Sequence, residues 1–145
     1  MIRSATATDY EDMARLAGQL GYPARAQEIA SRYERLRGNP DHGVFVATDA
    51  SRVLGWAHVK IEMSMVNDPK AQVAAIVIDA AHRGEGIGKE LMQKVEAWAL
   101  ERGLASITLR CKIEREDAHL FYNRLGFRVA KTSHYFEKAV KSTTP

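Results

Sequence analysis

The chain has 145 residues, a formal net charge of +3, 46% apolar and 27% charged residues, and a single cysteine. That length suits one domain, residues 1–145, with its own core, and the composition favours a globular fold over disorder. No apolar run approaches the ~20 residues of a membrane helix, Lys and Arg are scattered without the basic, aromatic-laced stripe of a nucleic-acid binder, and the start MIRSATATDYEDM lacks a signal-peptide core.

With Cys111 unable to form an internal disulfide, a reducing, cytoplasmic setting is expected. The mild positive balance suits an anionic ligand. In chain order, Ile2 to Ala5 is a short strand candidate, and Thr8-Asp9-Tyr10-Glu11 has the spacing of a capping box. Met13, Leu16, Ala17 and Leu20 recur at helical spacing until Gly21-Tyr22-Pro23 breaks the pattern. A second stripe, Ile29, Ala30, Tyr33 and Leu36, ends before Gly38-Asn39-Pro40. From Val44 the pattern becomes VFVAT, a polar turn at Asp49 to Arg52, then VLGWAHVKIE, as in a hairpin. After a loop holding Asn67-Asp68-Pro69, the run VAAIVI, Val73 to Ile78, reads as a strand covered on both faces. Ile87, Leu91, Val95 and Trp98 mark a helix that stops at Gly103. Strand SITLRC (Ser106 to Cys111), helix EREDAHLFYNRL (Glu114 to Leu125) and FRVAKTSHYFEKAV, read as two short strands, complete a mixed α/β domain.

Between VAAIVI and the Ile87 helix lies IDAAHRGEGIGK. A loop entering a helix N-terminus presents unpaired N–H groups at the positive end of the helix dipole, which suits phosphate. A strand-to-helix turn with no ligand would use glycine too. A P-loop needs Gly-x4-Gly-Lys-Ser/Thr, but Glu90 follows Gly88-Lys89 and Arg83 stands where the first glycine belongs. The dinucleotide fingerprint needs Gly-x-Gly-x-x-Gly near a first strand, and Gly84, Gly86 and Gly88 do not follow it.

What remains, Arg83-x-x-Gly86-x-Gly88 after an apolar strand, resembles the pyrophosphate loop of the GNAT superfamily of N-acetyltransferases. Ala118-His119-Leu120-Phe121-Tyr122-Asn123-Arg124-Leu125-Gly126-Phe127 is similar to that family's Ala-x-x-x-Tyr-x-x-x-Gly-Phe helix end, and the order of elements agrees across nearly the whole chain. The resemblance implies a mostly antiparallel twisted sheet flanked by about four helices and transfer of acetyl from acetyl-CoA to a primary amine. By position it places Ile76, Val77 and Ile78 against the pantetheine arm, and Arg83, Gly84, Glu85, Gly86, Ile87, Gly88 and Lys89 around the pyrophosphate. It also implies a gap between VAAIVI and SITLRC that the arm fills.

Tyr122 stands at the family's general-acid and cofactor position; by helix position alone it reads as core beside Phe121. The strand before the loop holds no carboxylate before Asp79; Glu62, His58 and Lys60 alternate on one face of the previous strand, so Glu62 or His58 could reach the amine, and Glu62 is taken as the candidate base. Arg115 replaces the Asn many relatives carry there. The acceptor, a small amine or a peptide or protein amine, is expected near the first two helices and the loop Met63 to Lys70. The family often dimerises, so a homodimer is admitted. His42, His58, His82, His119 and His134 lack metal-ligand spacing, so no metal is expected. An acyl-CoA sensor of the same fold without turnover is the alternative reading.

Overall fold

The computed structural model describes residues 1–141. Two units are compact in themselves: Met1–Arg110, and the segment from Cys111 onward.

The first unit is built on a five-stranded sheet in the order β1-β2-β3-β4-β5. Its strands are β1 Ile2–Ser4, β2 His42–Asp49, β3 Arg52–Glu62, β4 Lys70–Ile78 and β5 Ile107–Leu109. The pairs β1–β2, β2–β3 and β3–β4 are antiparallel, and β4–β5 is parallel, an arrangement that needs a crossover connection. That crossover is α3, Ile87–Glu101; the other helices of this unit are α1, Tyr10–Leu20, and α2, Ala26–Leu36. No helix among the described residues is long and apolar enough to cross a membrane.

Side chains on β3 alternate between two cores. Trp56 lies under α1, where its indole N–H donates to Met13 O at 3.2 Å, and it packs with Leu16, Val44, Val46 and Val77. Gly55 faces the opposite way, beneath α3. A Cβ there would lie 2.9 Å from Val77 O and 3.3 Å from both Ile87 Cγ2 and Leu91 Cδ1. The missing side chain therefore lets the first turn of α3 rest on the sheet. Gly55→Ala should destabilise the protein by about 1–3 kcal/mol, since backbone cannot yield easily to an added methyl. The midpoint of urea unfolding measures it, and an unchanged midpoint would remove Gly55 from this role.

Several expectations need correction. The capping box forms two residues earlier than the Thr8–Glu11 spacing suggests, at Thr6 and Asp9. A 3-10 turn, Ala7–Asp9, precedes α1, and the Asp9 carboxylate accepts from Thr6 N at 2.8 Å and from Arg3 Nη1 at 2.7 Å. The strand VAAIVI begins earlier, at Lys70, and is not covered throughout: Ala74 is exposed, and Ile76 and Ile78 are half-buried. SITLRC shortens to Ile107–Leu109.

The second unit contains α4, Glu116–Arg124, which starts later than Glu114. Residues 127–141 form no strand. A lone two-stranded ribbon is marginal in water, and Val129, Tyr135, Phe136 and Val140 are exposed rather than sharing a buried face.

Candidate functional site

The site begins where β4 outruns β5. The two strands pair only through Ala71↔Ile107, Gln72↔Thr108 and Val73↔Leu109, whereas β4 stays paired to β3 as far as Ile78. From Ala74 to Ile78, the backbone groups of β4 that point away from β3 have no strand partner among the described residues. Such an edge can take up another extended chain. A bulge marks the transition: His58 pairs with Ala75 and Val59 with Val73, which leaves Ala74 as the extra residue. Bulges bend a strand and increase its twist.

The glycine loop follows directly. Asp79 N donates to Leu54 O at 2.8 Å, a single 3-10 turn covers Ala80–His82, and Gly84 and Gly86 then take left-handed φ values of 84° and 85°. A Cβ at either glycine would meet nothing within 4 Å. Backbone conformation, not packing, is what demands glycine here. Gly86 is the N-cap of α3 and offers no side chain to the first turn. The first helical bond in this turn is Glu90 N to Gly86 O at 3.1 Å, so the N–H groups of Ile87, Gly88 and Lys89 have no intrahelical acceptor. Arg83 and Lys89 are exposed, with no carboxylate partner among the described residues, while Glu85 is engaged by His82 Nδ1 at 3.1 Å.

Asp79, Arg15 and Gln19 hold this loop, and sequence reasoning gave none of them that role. The Asp79 carboxylate is buried and accepts from Arg15 Nη1 at 3.0 Å, Gln19 Nε2 at 3.3 Å and Ala81 N at 3.1 Å; Gln19 Oε1 in turn accepts from Ala80 N at 2.8 Å. Arg15 and Gln19 reach the same target because residues four apart share a helix face. An Asp directly after a buried strand and before a turn was the available signal, since its short carboxylate bonds to backbone N–H groups just ahead.

Burial pushes the Asp79 carboxyl pKa upward, but the Ala81 N–H, Arg15 and Gln19 outweigh it and hold the group below the usual carboxylate range. Its contribution to stability is therefore present above the unfolded value of about 3.9 and is lost as pH falls through the lower folded value. Asp79→Asn should lower the urea midpoint at pH 7, with the deficit shrinking as both proteins are brought below about pH 4. A deficit that does not change with pH would contradict this role.

Of the candidate bases, Glu62 ends β3 opposite Lys70 and lies 3.8 Å from Arg110 Nη1. His58 is pushed down to about 4 by burial, reinforced by His42 and Lys60, and its Nε2 lies 3.0 Å from His42 Nδ1. It is a neutral imidazole at pH 7 and a weaker base than an ordinary histidine.

Tyr122 belongs to the second unit, on α4. It packs beside Phe121 and edge-on to Phe127, with ring centroids 5.3 and 6.0 Å away. Burial raises its pKa above the ordinary tyrosine value; Cys111 adds to the rise and Arg115 opposes it. The phenol therefore keeps its proton at neutral pH. His119 Nε2 lies 2.9 Å from Lys112 O in the same unit.

In the first unit, an open strand edge leads into left-handed glycines, a helix N-terminus and two cations, Arg83 and Lys89, without a carboxylate partner among the described residues. That sequence of groups can hold an extended amide-bearing chain that ends in phosphate. Among the described residues, no three His, Cys, Asp or Glu side chains gather as metal ligands.

Residues 8–127 match the acetyltransferase (GNAT) family. The chain is 24% identical over 140 residues to an aminoglycoside N(6')-acetyltransferase type 1 of Stenotrophomonas maltophilia, covering 93% of this chain and 90% of that one. It is 36% identical over 69 residues to an uncharacterized N-acetyltransferase of Bacillus subtilis, a match that spans 47% of either chain. The crystal structure of an aminoglycoside antibiotic 6'-N-acetyltransferase from Acinetobacter haemolyticus superposes with a TM-score of 0.85 at 19% identity, over 97% of this chain and 99% of that one. An aminoglycoside N-acetyltransferase in complex with CoA superposes at 0.82 and 22% identity, over 97% and 100%. At these identities the structural likeness concerns the fold.

Proposed function

The chain belongs to the acetyltransferase (GNAT) family, and from that premise we propose that it moves the acetyl group of acetyl-CoA to a primary amine by direct attack on the thioester. The observation that carries this reading is the unpartnered edge of β4 from Ala74 to Ile78, which runs straight into the left-handed glycines Gly84 and Gly86. Backbone groups of Ile76, Val77 and Ile78 would pair with the amide-bearing arm of the donor. Gly84, Glu85, Gly86, Ile87 and Gly88 would supply backbone N–H groups to the pyrophosphate, and Arg83 and Lys89 its counter-charges.

In this reaction the neutral amine nitrogen forms a bond to the thioester carbonyl carbon. A β4 backbone N–H aimed at the carbonyl oxygen stabilises the charge that grows there. The C–S bond then breaks, and the departing thiolate takes a proton from the Tyr122 hydroxyl. A phenol, whose ordinary pKa is ~10, can give its proton to a thiolate whose thiol ordinarily titrates near ~8.5 and be reprotonated between turnovers. The proton lost by the amine goes to a base, for which Glu62, at the end of β3, is our choice; His58, whose Nε2 lies 3.0 Å from His42 Nδ1, is the alternative. We propose a cytoplasmic setting for this activity, which a single cysteine without an internal disulfide partner suits.

Incubation of the purified chain with acetyl-CoA and a panel of primary amines, with mass spectrometry of the amines, tests the proposal. An acetylated amine is expected. Thermal stabilisation by acetyl-CoA with no acetylated amine across the panel would instead make the chain a binding protein.

A further inference from the structure

The sheet face that carries Trp56 under α1 continues as a polar surface. His58, Lys60 and Glu62 follow Trp56 at every second position of β3, and Gln72 stands beside Lys60 and Lys70 beside Glu62 on β4. This surface lies at the base of the loop between β3 and β4. It reaches Ala75, the register partner of His58, which lies within the free edge of β4 that runs from Ala74 to Ile78. An amine on this surface would therefore stand next to the edge assigned above to the donor.

The charges on the surface are unequal. Glu62 is its one carboxylate among the described residues, and it is already engaged. Arg110 Nη1 lies 3.8 Å from Glu62 Oε2. With the Gln72 amide oriented to satisfy both neighbours, its NH2 donates to Glu62 Oε2 at 3.2 Å and its oxygen accepts from Arg110 Nη1 at 2.6 Å. Lys60 and Lys70 have no carboxylate within ion-pair distance among the described residues, and the Arg110 side chain is 70% exposed. Asp41 and Asp68 sit on the adjoining loops, off the strands. The local field is positive although the surface must admit an amine.

We infer that the acceptor is an amine whose own molecule carries an anionic group, a carboxylate or a phosphate, and that Lys60 and Arg110 receive that group. The inference rests on the proposed acetyl transfer and adds the acceptor's class to it. A polycationic acceptor would meet like charge on this face, and like-charge juxtaposition is how sites reject partners. Although the relatives include aminoglycoside enzymes, this distribution of charge favours a different kind of amine. Arg110 can accept a planar carboxylate or a phosphate oxygen pair through its fork of donors, and Lys60 acts as a point charge.

The test is kcat/KM for matched acceptors that differ in the anionic group: glucosamine against glucosamine 6-phosphate, an amino acid against its amide, and kanamycin as the polycation. At least a tenfold preference for the charged member is expected in one pair, expressed chiefly in KM, and the responding pair separates phosphate from carboxylate. Lys60→Gln and Arg110→Gln should each bring that ratio towards one, and Lys60→Arg should restore it. Best turnover with kanamycin or with the uncharged members, or a ratio that survives both substitutions, overturns the inference and leaves acetyl transfer standing. Acetyl-CoA binding with no acceptor acetylated removes the acetyl-transfer reading and this inference with it.

Discussion

Replacement of Tyr122 by Phe should lower kcat by about 100-fold or more while the dissociation constant of acetyl-CoA changes by less than about threefold, because general-acid catalysis contributes on the order of 10²–10⁴. The substitution removes one oxygen and leaves the ring beside Phe121 and Phe127, so the aromatic packing of α4 is retained. Burial raises the pKa of the Tyr122 hydroxyl, which keeps the donor protonated through neutral pH. The wild-type rate should therefore have a limb that falls at alkaline pH, as that proton is lost, and the variant should lack this limb. Rates and binding measured across pH check both points. Equal turnover in the two proteins would take Tyr122 out of the mechanism.

Gly86→Val should weaken acetyl-CoA binding by about tenfold or more. At φ 85° a side chain brings Cβ too close to the following carbonyl, a strain of ~1–2 kcal/mol, and a β-branched residue is the worst case. A Cβ there meets nothing within 4 Å, so the protein's own packing is not the cause of the loss. The loop must shift, and with it the N–H groups of Ile87, Gly88 and Lys89. Gly103→Val provides the comparison. Gly103 is also left-handed, with φ 68° and open space around its Cβ position, but it follows the far end of α3. Both variants should lose stability, and Gly86→Val alone should lose affinity in calorimetric titration. Equal affinity losses in the two would show that strain acts through the whole fold and not through the loop.

Much of this architecture is legible in the residues because local signals and tertiary packing agree. The stripe Met13, Leu16, Ala17 does bury α1, and Gly21 ends that helix in the left-handed conformation its lack of a side chain permits. The glycine loop is equally legible, since glycines between a strand and a helix mark backbone that turns through left-handed conformations. What stayed hidden depends on contacts distant in sequence. Arg15 and Gln19 look like the solvent face of an amphipathic helix until Asp79, 64 and 60 positions further along the chain, is folded against them. The engagement of Glu62 with Gln72 and Arg110 likewise needs three strands in register. The apolar run VAAIVI misled for a related reason. Its composition suits a fully covered strand, yet β5 stops at Leu109, and that shortness leaves Ala74 exposed and the edge beyond it open. FRVAKTSHYFEKAV has the alternation of strands, but alternation without a partner to pair with does not make a sheet.

The glycine loop and β4 edge account for a donor, and the charges around Glu62 for an acceptor; their conjunction is the chemistry proposed. The measurement that reaches it most directly is the stoichiometry of the wild-type reaction: thiol released from acetyl-CoA and amine acetylated, counted in the same tube with an acceptor the protein turns over. One thiol for each acetylated amine, and negligible thiol without the amine, is the predicted result. Thiol release that is independent of the amine, with no acetylated product, would mean that the protein hydrolyses the thioester, and would contradict transfer to an amine.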